Sequence, residues 1–390
     1  MSLVEWALPT KISTKVVGDV HPTFMAARKS FSPLRLRLRR FRRLKRGYYS
    51  FLILIGTYTL SFLLPFLMSN RAIVVHYQGH YYFPAIKTYF FETFEIGRES
   101  IYLAQVFKQA DESGVPLQGE TDYRMLKRQF KKQKSGNWLL LPPIPYHPNE
   151  GFLELEGSPP HPPSAAHWMG TDDRGRDVFV RLTYGYRTSI SFSLLVISAT
   201  YTFGILVGAV LGYYGRWIDI FGQRCVEIWG AIPFLYTVII LASIFEPSFK
   251  LLALILAMFG WMSITYYIRG EFYREKAKDY VAAAIATGES NLTIMARHIL
   301  PNALTPIITF APFAIVSNIV ALVSLDFLGF GLPPPAPSWG ELLSQAKQNL
   351  QVWHLVVFPL GAMFVTLQLV VFIGEAVREA FDPKVFSRLR

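Results

Sequence analysis

The sequence predicts an all-α membrane protein of six spans, with a mixed α/β insertion outside the bilayer after the first span. Three observations lead there. Nearly charge-free apolar runs recur in a chain with 52% hydrophobic and only 17% charged residues, and their length of roughly twenty residues is what a helix needs to cross the hydrocarbon. A dense basic block stands directly before the first run. One polar stretch, 69–188, separates that first run from the others, which then follow closely.

The basic block sets the orientation. Residues 1–47 hold twelve Lys and Arg against Glu5 and Asp19, a net of +10 out of the chain's +12. Eight of the twelve lie in RLRLRRFRRLKR, Arg35 to Arg46. Basic runs also bind nucleic acid, but one that abuts an apolar span is the positive-inside pattern, which holds 1–47 in the cytoplasm. No nucleic-acid partner is expected. The block is too long for a signal peptide, and no small-residue cleavage site follows it. A single cysteine, Cys225, excludes an intrachain disulfide and a multi-cysteine metal site. The first span, 48–68, carries the chain to the opposite face, and Pro65 near its end is tolerable there.

The insertion, 69–188, is expected on that opposite, periplasmic face. AIVVHYQGHYYF sets Gln78-Gly79 between two β-rich runs, a hairpin signal. His76 and His80 are four apart and would pair as ligands only on a helix; the strand pattern favours the turn. Arg98 to Asp111 and Asp122 to Lys134 look helical. In the second, Tyr123, Leu126 and Phe130 share a stripe among Arg124, Lys127, Arg128, Lys131, Lys132 and Lys134. Such a helix rests on the insertion's own core, lies on the membrane surface, or docks a partner by charge. Leu141 to His167 is proline-rich and reads as an extended linker; His147, His161 and His167 in it lack metal-ligand spacing. Met169 to Ser189 opens on Asp172, Asp173, Arg174, Arg176 and Asp177. Paired carboxylates suit a cation or a hydrolase, but the interleaved arginines favour local ion pairs.

The membrane core is expected over 189–376. Its spans are Ile190 to Tyr214, Val226 to Phe245 with Pro233 inside, Leu251 to Ile268, Thr305 to Leu325 and Val352 to Ile373. The first is rich in Ser, Thr, Gly and Ala, small residues that let membrane helices approach. Glu227 is the only acidic residue inside a span, which hints at function unless it reaches water from a helix end. Six spans return 270–304 and the tail 377–390 to the cytoplasmic side.

Between the third and fourth core spans lies a helical hairpin, Asp279 to Asn302. Arg269 to Thr287 favours helix and ends in a run of alanines. Gly288 stands where a helix stops in the left-handed conformation that glycine adopts cheaply. Ser290 caps a second helix, Asn291 to about Leu300, and Pro301 closes it and suits the first turn of the next. By periodicity alone, a plain interhelical loop is the other reading.

The residues of this hairpin resemble the EAA coupling loop of ABC importer permeases. The matching positions are Ala283, Ala284, Gly288, Leu300 and Pro301. The glutamate that names the motif falls on Ala282, and an isoleucine of the pattern falls on His298, so the match is to a variant. Gly170 to Asp177 resembles the GTDxxGRD segment of peptide permeases, and Leu328-Gly329-Phe330-Gly331 with Pro337-Ser338-Trp339-Gly340 resembles their LGLG…PSWG passage. Gly374-Glu375, Arg378-Glu379 and Asp382-Pro383 resemble their tail. The likeness covers Tyr48 to Met68 and Gly170 to Pro383. DFLGFGLPPP and GEAVREAFDP look most like the Yej-type permeases, which import peptides and the peptide-nucleotide antibiotic microcin C.

This resemblance implies the type I ABC importer permease fold, with a cytoplasmic coupling-helix hairpin. It implies that Ala283, Ala284, Gly288, Glu289, Ser290, Leu300 and Pro301 couple the spans to a separate ATPase with two nucleotide-binding domains. The implied partners are a second, homologous permease, a periplasmic peptide-binding protein, the peptide itself and membrane lipids. No cofactor is expected on this chain, since it has no Gly-Lys dipeptide and a P-loop needs one to hold ATP phosphates; ATP and Mg belong to the partner ATPase. A secondary transporter or channel, which keeps ionisable groups or broken helices near mid-membrane, is the competing reading. A membrane-anchored sensor or enzyme working through 69–188 is a third, without any nucleophile–base spacing behind it.

Overall fold

The computed structural model describes residues 33–94, 104–109, 116, 119–133 and 136–381. The basic residues before Pro33, most of the helix expected over Arg98 to Asp111, and Asp382-Pro383 lie outside the described residues. What remains of that expected helix is one 3-10 turn, Ala104–Phe107.

The described chain is mainly helical. The helices are α1 (Pro33–Arg43), α2 (Lys45–Ser61), α3 (Leu64–Leu67), α4 (Pro84–Phe94), α5 (Tyr123–Gln133), α6 (Val178–Tyr214), α7 (Arg216–Gly230), α8 (Phe234–Ile244), α9 (Phe249–Lys276), α10 (Asp279–Ala286), α11 (Asn291–Thr293), α12 (Leu300–Phe327), α13 (Trp339–Gln348) and α14 (Trp353–Phe381). The strands are β1 (Val74–Tyr77), β2 (His80–Tyr82) and β3 (Trp138–Leu140).

The pair α6 and α9 is the spine of the bundle. Gly204, Gly208 and Gly212 recur every fourth residue, so they line one face of α6, and α9 presses on that face. A Cβ on Gly204 would lie 2.7 Å from the Trp261 carbonyl, and one on Gly212 only 2.6 Å from Phe272 Cβ. Thr265 Oγ1 donates to the Gly204 carbonyl at 3.2 Å. The small residues expected to admit close helix packing therefore do so. Phe192, Val196, Leu252, Ile255 and Leu322 form one buried cluster where α6, α9 and α12 meet. Gly47 of α2 backs onto Ala376 of α14.

Four helices, within 178–214, 249–276, 307–327 and 353–381, are each long and apolar enough to cross a membrane, and a fifth crossing exists if α7 and α8 count as one. That pair is bent by 68°, so the straight span expected over Val226 to Phe245 is two helices. The break falls at Ala231–Pro233, where the proline ring cannot continue the α7 ladder. Glu227 sits on the exposed surface of α7 and is bonded to Arg224. The first expected span, 48–68, is also interrupted. Helix α2 has 17 residues, at the short end of the range a crossing needs, and α3 follows with Pro65 in its first turn.

Helix α6 begins at Val178, inside the stretch expected to be outside the bilayer through Thr188. The Arg181 side chain in this first part of α6 is fully buried and ion-paired to Glu341. Between α6 and α7 stands Gly215 alone, at φ 64. Asp219 is already in α7, where Arg269 Nη2 donates to it at 2.6 Å and Tyr273 Oη at 2.7 Å.

The insertion holds a three-stranded antiparallel sheet in the order β2–β1–β3. Tyr77 pairs with His80 across Gln78 and Gly79, both at positive φ, the two-residue turn that Gln-Gly suggested. Asp122 caps α5 by accepting from the Arg124 and Met125 amides. Tyr123, Leu126 and Phe130 are buried with Val75, Tyr77 and Leu139, so the apolar stripe of α5 faces the sheet. It is not open to a membrane surface, which corrects that reading. Lys127, Arg128, Lys131 and Lys132 stay exposed.

Candidate functional site

One end of the bundle carries the hairpin. Helix α9 stops at Lys276, and α10 starts at Asp279 after two intervening residues. Glu275 is buried; it accepts Lys278 Nζ at 2.7 Å and the Tyr280 hydroxyl at 2.7 Å. Asn302 Nδ2 then donates to Tyr280 Oη at 3.3 Å, which closes the base of the hairpin across its two arms.

Helix α10 ends as the glycine requires. The Gly288 amide donates to the Ile285 carbonyl and the Glu289 amide to the Ala284 carbonyl, the paired bonds of a Schellman motif. Gly288 has φ +78, and nothing lies within 4 Å of where a Cβ would stand. Ser290 accepts from the Thr293 amide at 3.3 Å and caps α11. Tyr213 Oη donates to Asn291 Oδ1 at 2.7 Å, so the end of α6 holds the second arm.

The second arm is not a separate helix closed by Pro301. It runs from α11 through a π-helical turn, Ile294–Ile299, straight into α12. The Leu300 amide reaches back five residues to the Met295 carbonyl. The extra residue of a π turn draws the preceding carbonyl away from the proline ring, so the helix continues where an α-helix would break.

The hairpin has an inner and an outer face. Val281, Ala284, Ile294 and Ile299 are buried with Ala209, Ile268, Phe272, Ala303 and Ile307. Ala282, Ala283, Ala286, Gly288, Glu289 and Ser290 are exposed, as is Pro301; Leu300 is half-buried. Of the residues singled out by sequence, Ala283, Gly288, Glu289 and Ser290 therefore share the outer tip, while Ala284 supports it from beneath. Sequence reasoning missed Ile285 and Leu292, which are 51% and 76% exposed on the same tip. Helical period hides Ile285, which stands four residues after buried Val281 on the same face; the one local hint is an apolar residue either side of Gly288. His298 has a partner at the tip: its Nε2 is 2.8 Å from Glu289 Oε2.

The opposite end of the bundle holds a buried ion cluster. Arg176 Nε donates to Asp172 Oδ2 at 2.7 Å, and its Nη2 to Glu341 Oε1 at 2.9 Å. Arg181 bonds the other Glu341 oxygen and lies 3.5 Å from Asp172. Asp177 caps α6 through the Val180 amide at 2.9 Å and also meets His167 Nδ1 at 2.8 Å. Trp339 Nε1 donates to the Leu182 carbonyl at 2.9 Å. The aspartate-arginine segment and the Pro-Ser-Trp-Gly passage, far apart in sequence, are thus one structural unit. Among the described residues, no group of three or more His, Cys, Asp or Glu side chains is placed to hold a metal.

Comparison with known proteins bears on both ends. The family model described as "Binding-protein-dependent transport system inner membrane component" matches residues 204–387, which include the hairpin. The chain is 39% identical over 346 residues to the inner membrane ABC transporter permease protein YejE of Escherichia coli (strain K12), covering 88% of this chain and 95% of that protein. It is 36% identical over 379 residues to the peptidoglycan transport system permease protein YejE of Agrobacterium fabrum, covering 91% and 94%. The dipeptide transport system permease protein DppC of Alkalihalophilus pseudofirmus is 36% identical over 227 residues, covering 58% of this chain and 74% of that one.

Proposed function

The chain belongs to the Yej-type ABC peptide-importer permeases, inner-membrane components of binding-protein-dependent transport systems, and on that premise we propose that it passes peptides across the bacterial inner membrane as one of two permease subunits. It is a multi-pass inner-membrane protein. In this reading α2, α6, the bent pair α7–α8, α9, α12 and α14 are six crossings. Their alternation between the two bundle ends supports that count, because each leads to the end from which the next departs. Residues 1–47, 270–304 and 377–390 then face the cytoplasm and the insertion faces the periplasm, as the basic block before α2 favours.

The observation that carries the mechanism is the two-faced hairpin. Its buried side is continuous with the packing of α6, α9 and α12, while Ala282, Ala283, Ile285 and Leu292 stand exposed at its tip. A smooth apolar tip fixed rigidly to three spans can transmit a push. A separate ATPase subunit binds ATP and Mg, and closure of its two nucleotide-binding domains moves a groove in which the tip is lodged. The spans follow, and access to a path shared with the second permease alternates. A loaded peptide-binding protein promotes the cycle only by favouring one of those states. The exposed Lys127, Lys131 and Lys132 of α5 offer it a complementary surface. Peptides are the proposed cargo, with peptide-nucleotide antibiotics such as microcin C among them.

Cysteine labelling and cross-linking in a Cys225→Ser background tests this reading. A cysteine at Glu289 should be silent to impermeant reagents in intact cells and should cross-link to an ATPase subunit, while one at Gly119 should label from outside. Labelling of position 289 from outside would overturn both the topology and the coupling.

A further inference from the structure

Antiparallel sheets that cover a core with one face normally turn polar side chains outward on the other. The sheet of the insertion does not. Its inner face packs beneath α5, with Val75, Tyr77 and Leu139 buried. The alternate residues, Val74 and His76 of β1, Tyr81 of β2, and Trp138 and Leu140 of β3, make the outer face, and none of them is acidic or a Lys or Arg. Tyr81, Trp138 and Leu140 are exposed, and so is Phe83 just beyond β2.

The strand register gives this face an order. His76 stands opposite Tyr81 on one side and Trp138 on the other. Its ring lies 4.9 Å from that of Tyr81 and 6.0 Å from that of Trp138, nearly parallel to the latter at 17°. Two residues earlier on β1, Val74 pairs with Leu140. An aliphatic pair is thus followed by an aromatic row, and that row by the exposed turn Gln78-Gly79.

The aliphatic end is the one tied to the first apolar segment. The Ser69 amide donates to the Ile144 carbonyl, the Ile144 amide to the Leu67 carbonyl at the end of α3, and the Ile73 amide to the Leu140 carbonyl. Helix α4 is fastened at the same end by the Ala85 amide, which donates to the Ala72 carbonyl, and it sets Tyr89 5.7 Å from Phe66 of α3. Each piece of this junction carries exposed apolar side chains: Leu60 and Leu63 at the end of α2, Ile86 of α4, then Phe83 and Leu140.

Chemistry separates a membrane from a soluble partner here. A partner drawn by charge has Lys127, Lys131 and Lys132 of α5, on the far side of the sheet. Away from α3 the outer face runs aliphatic, then Tyr, His and Trp, then polar turn, the same order as acyl boundary, headgroups and water, with Tyr and Trp rings at headgroup level. We propose that the outer face of the β2–β1–β3 sheet lies on the lipid surface beside α3. Phe83 and Leu140 meet the acyl boundary, and the Tyr81–His76–Trp138 row sits among the headgroups. One face lays the insertion on the bilayer, while basic α5 is held up on the other. The inference rests on the reading of α2 as a membrane crossing and not on peptide import.

The test uses the full-length chain, with Cys225→Ser, in nanodiscs of phosphatidylethanolamine and phosphatidylglycerol. Spin labels are placed singly at Phe83→Cys, Leu140→Cys, Lys131→Cys and, within α2, Ile55→Cys. Lipid-soluble oxygen and a water-soluble nickel chelate are the relaxation probes. Labels at 83 and 140 should be relaxed by oxygen, as at 55, and at least about tenfold less by nickel than the label at 131, as an apolar face sunk into the interface requires. Nickel access at 83 and 140 equal to that at 131, with 55 still in lipid, would overturn the proposal and leave the α2 crossing standing. Water exposure at 55 as well would take the crossing with it. Shielding of 83 and 140 from both probes would overturn the proposal in favour of a protein cover. A phospholipid with a diazirine near the head of its acyl chain gives a readout on the unaltered chain. Adducts within 74–83 or 138–140 are expected, and adducts on α2 with none in those segments would defeat the assignment.

Discussion

The Tyr213 hydroxyl donates to Asn291 Oδ1 across 2.7 Å and joins the last turn of α6 to the second arm of the hairpin. The same ring lies 4.9 Å beneath Lys276 Nζ at the end of α9. One tyrosine therefore touches the ends of two spans and the hairpin that is proposed to drive them.

Tyr213→Phe removes the hydrogen bond and keeps the ring, at a cost of about 1 kcal/mol. The chain should still accumulate normally, while peptide uptake per ATP hydrolysed falls severalfold. Measuring uptake and ATPase rates on the same reconstituted complex checks this. An unchanged ratio would remove Tyr213 from coupling.

Gly288→Val should uncouple transport more severely. The position has φ +78 and open space where the Cβ would stand, so the penalty is backbone strain of about 1–2 kcal/mol and not a clash. Gly288→Asn, whose side chain tolerates this region better, should retain most uptake. A valine variant that transports at the normal rate would take the hairpin out of the mechanism.

Arg181→Met should lower the amount of folded protein sharply. It leaves Glu341 and buried Asp172 with less compensating charge, and breaking a buried pair from one side costs about 3–5 kcal/mol. Glu341→Gln alone should be milder, because Arg176 and Arg181 keep Asp172 as a partner. Thermal denaturation in detergent gives the order of the two.

Acid should loosen the proline-rich passage through His147. Burial lowers its pKa from 6.5 to about 4, so between those values an unfolded segment binds a proton that the folded one refuses. Stability is therefore full above pH 6.5 and declines as pH falls toward 4. Backbone hydrogen exchange over 141–150, corrected for intrinsic rates, should show weakening protection between pH 7 and 5, and His147→Gln should flatten that trend.

Features set by neighbours along the chain were legible in the sequence. Gly288 ends α10, Ser290 caps α11, Gln78-Gly79 turns the hairpin, and the stripe of α5 names the residues that bury. Each depends on a few adjacent residues, whose φ, ψ and side-chain reach decide the outcome wherever the segment sits. The motif residues likewise marked the hairpin as the place to look.

Tertiary structure decided what depends on partners far along the chain. Asp177 caps the start of α6 locally, but the fully buried Arg181 one turn on is compensated only by Glu341 of α13, far along the chain. Pro301 reads as the end of a helix, but the helix runs through it by a π turn, with Ile294 and Ile299 of that turn buried against Ile268 and Phe272 of α9. Adjacent alanines divide in the same way, Ala284 turned into the bundle and Ala283 left at the exposed tip. A helix's own period places successive residues about 100° apart, but which of those directions is inward is chosen by the helices it meets.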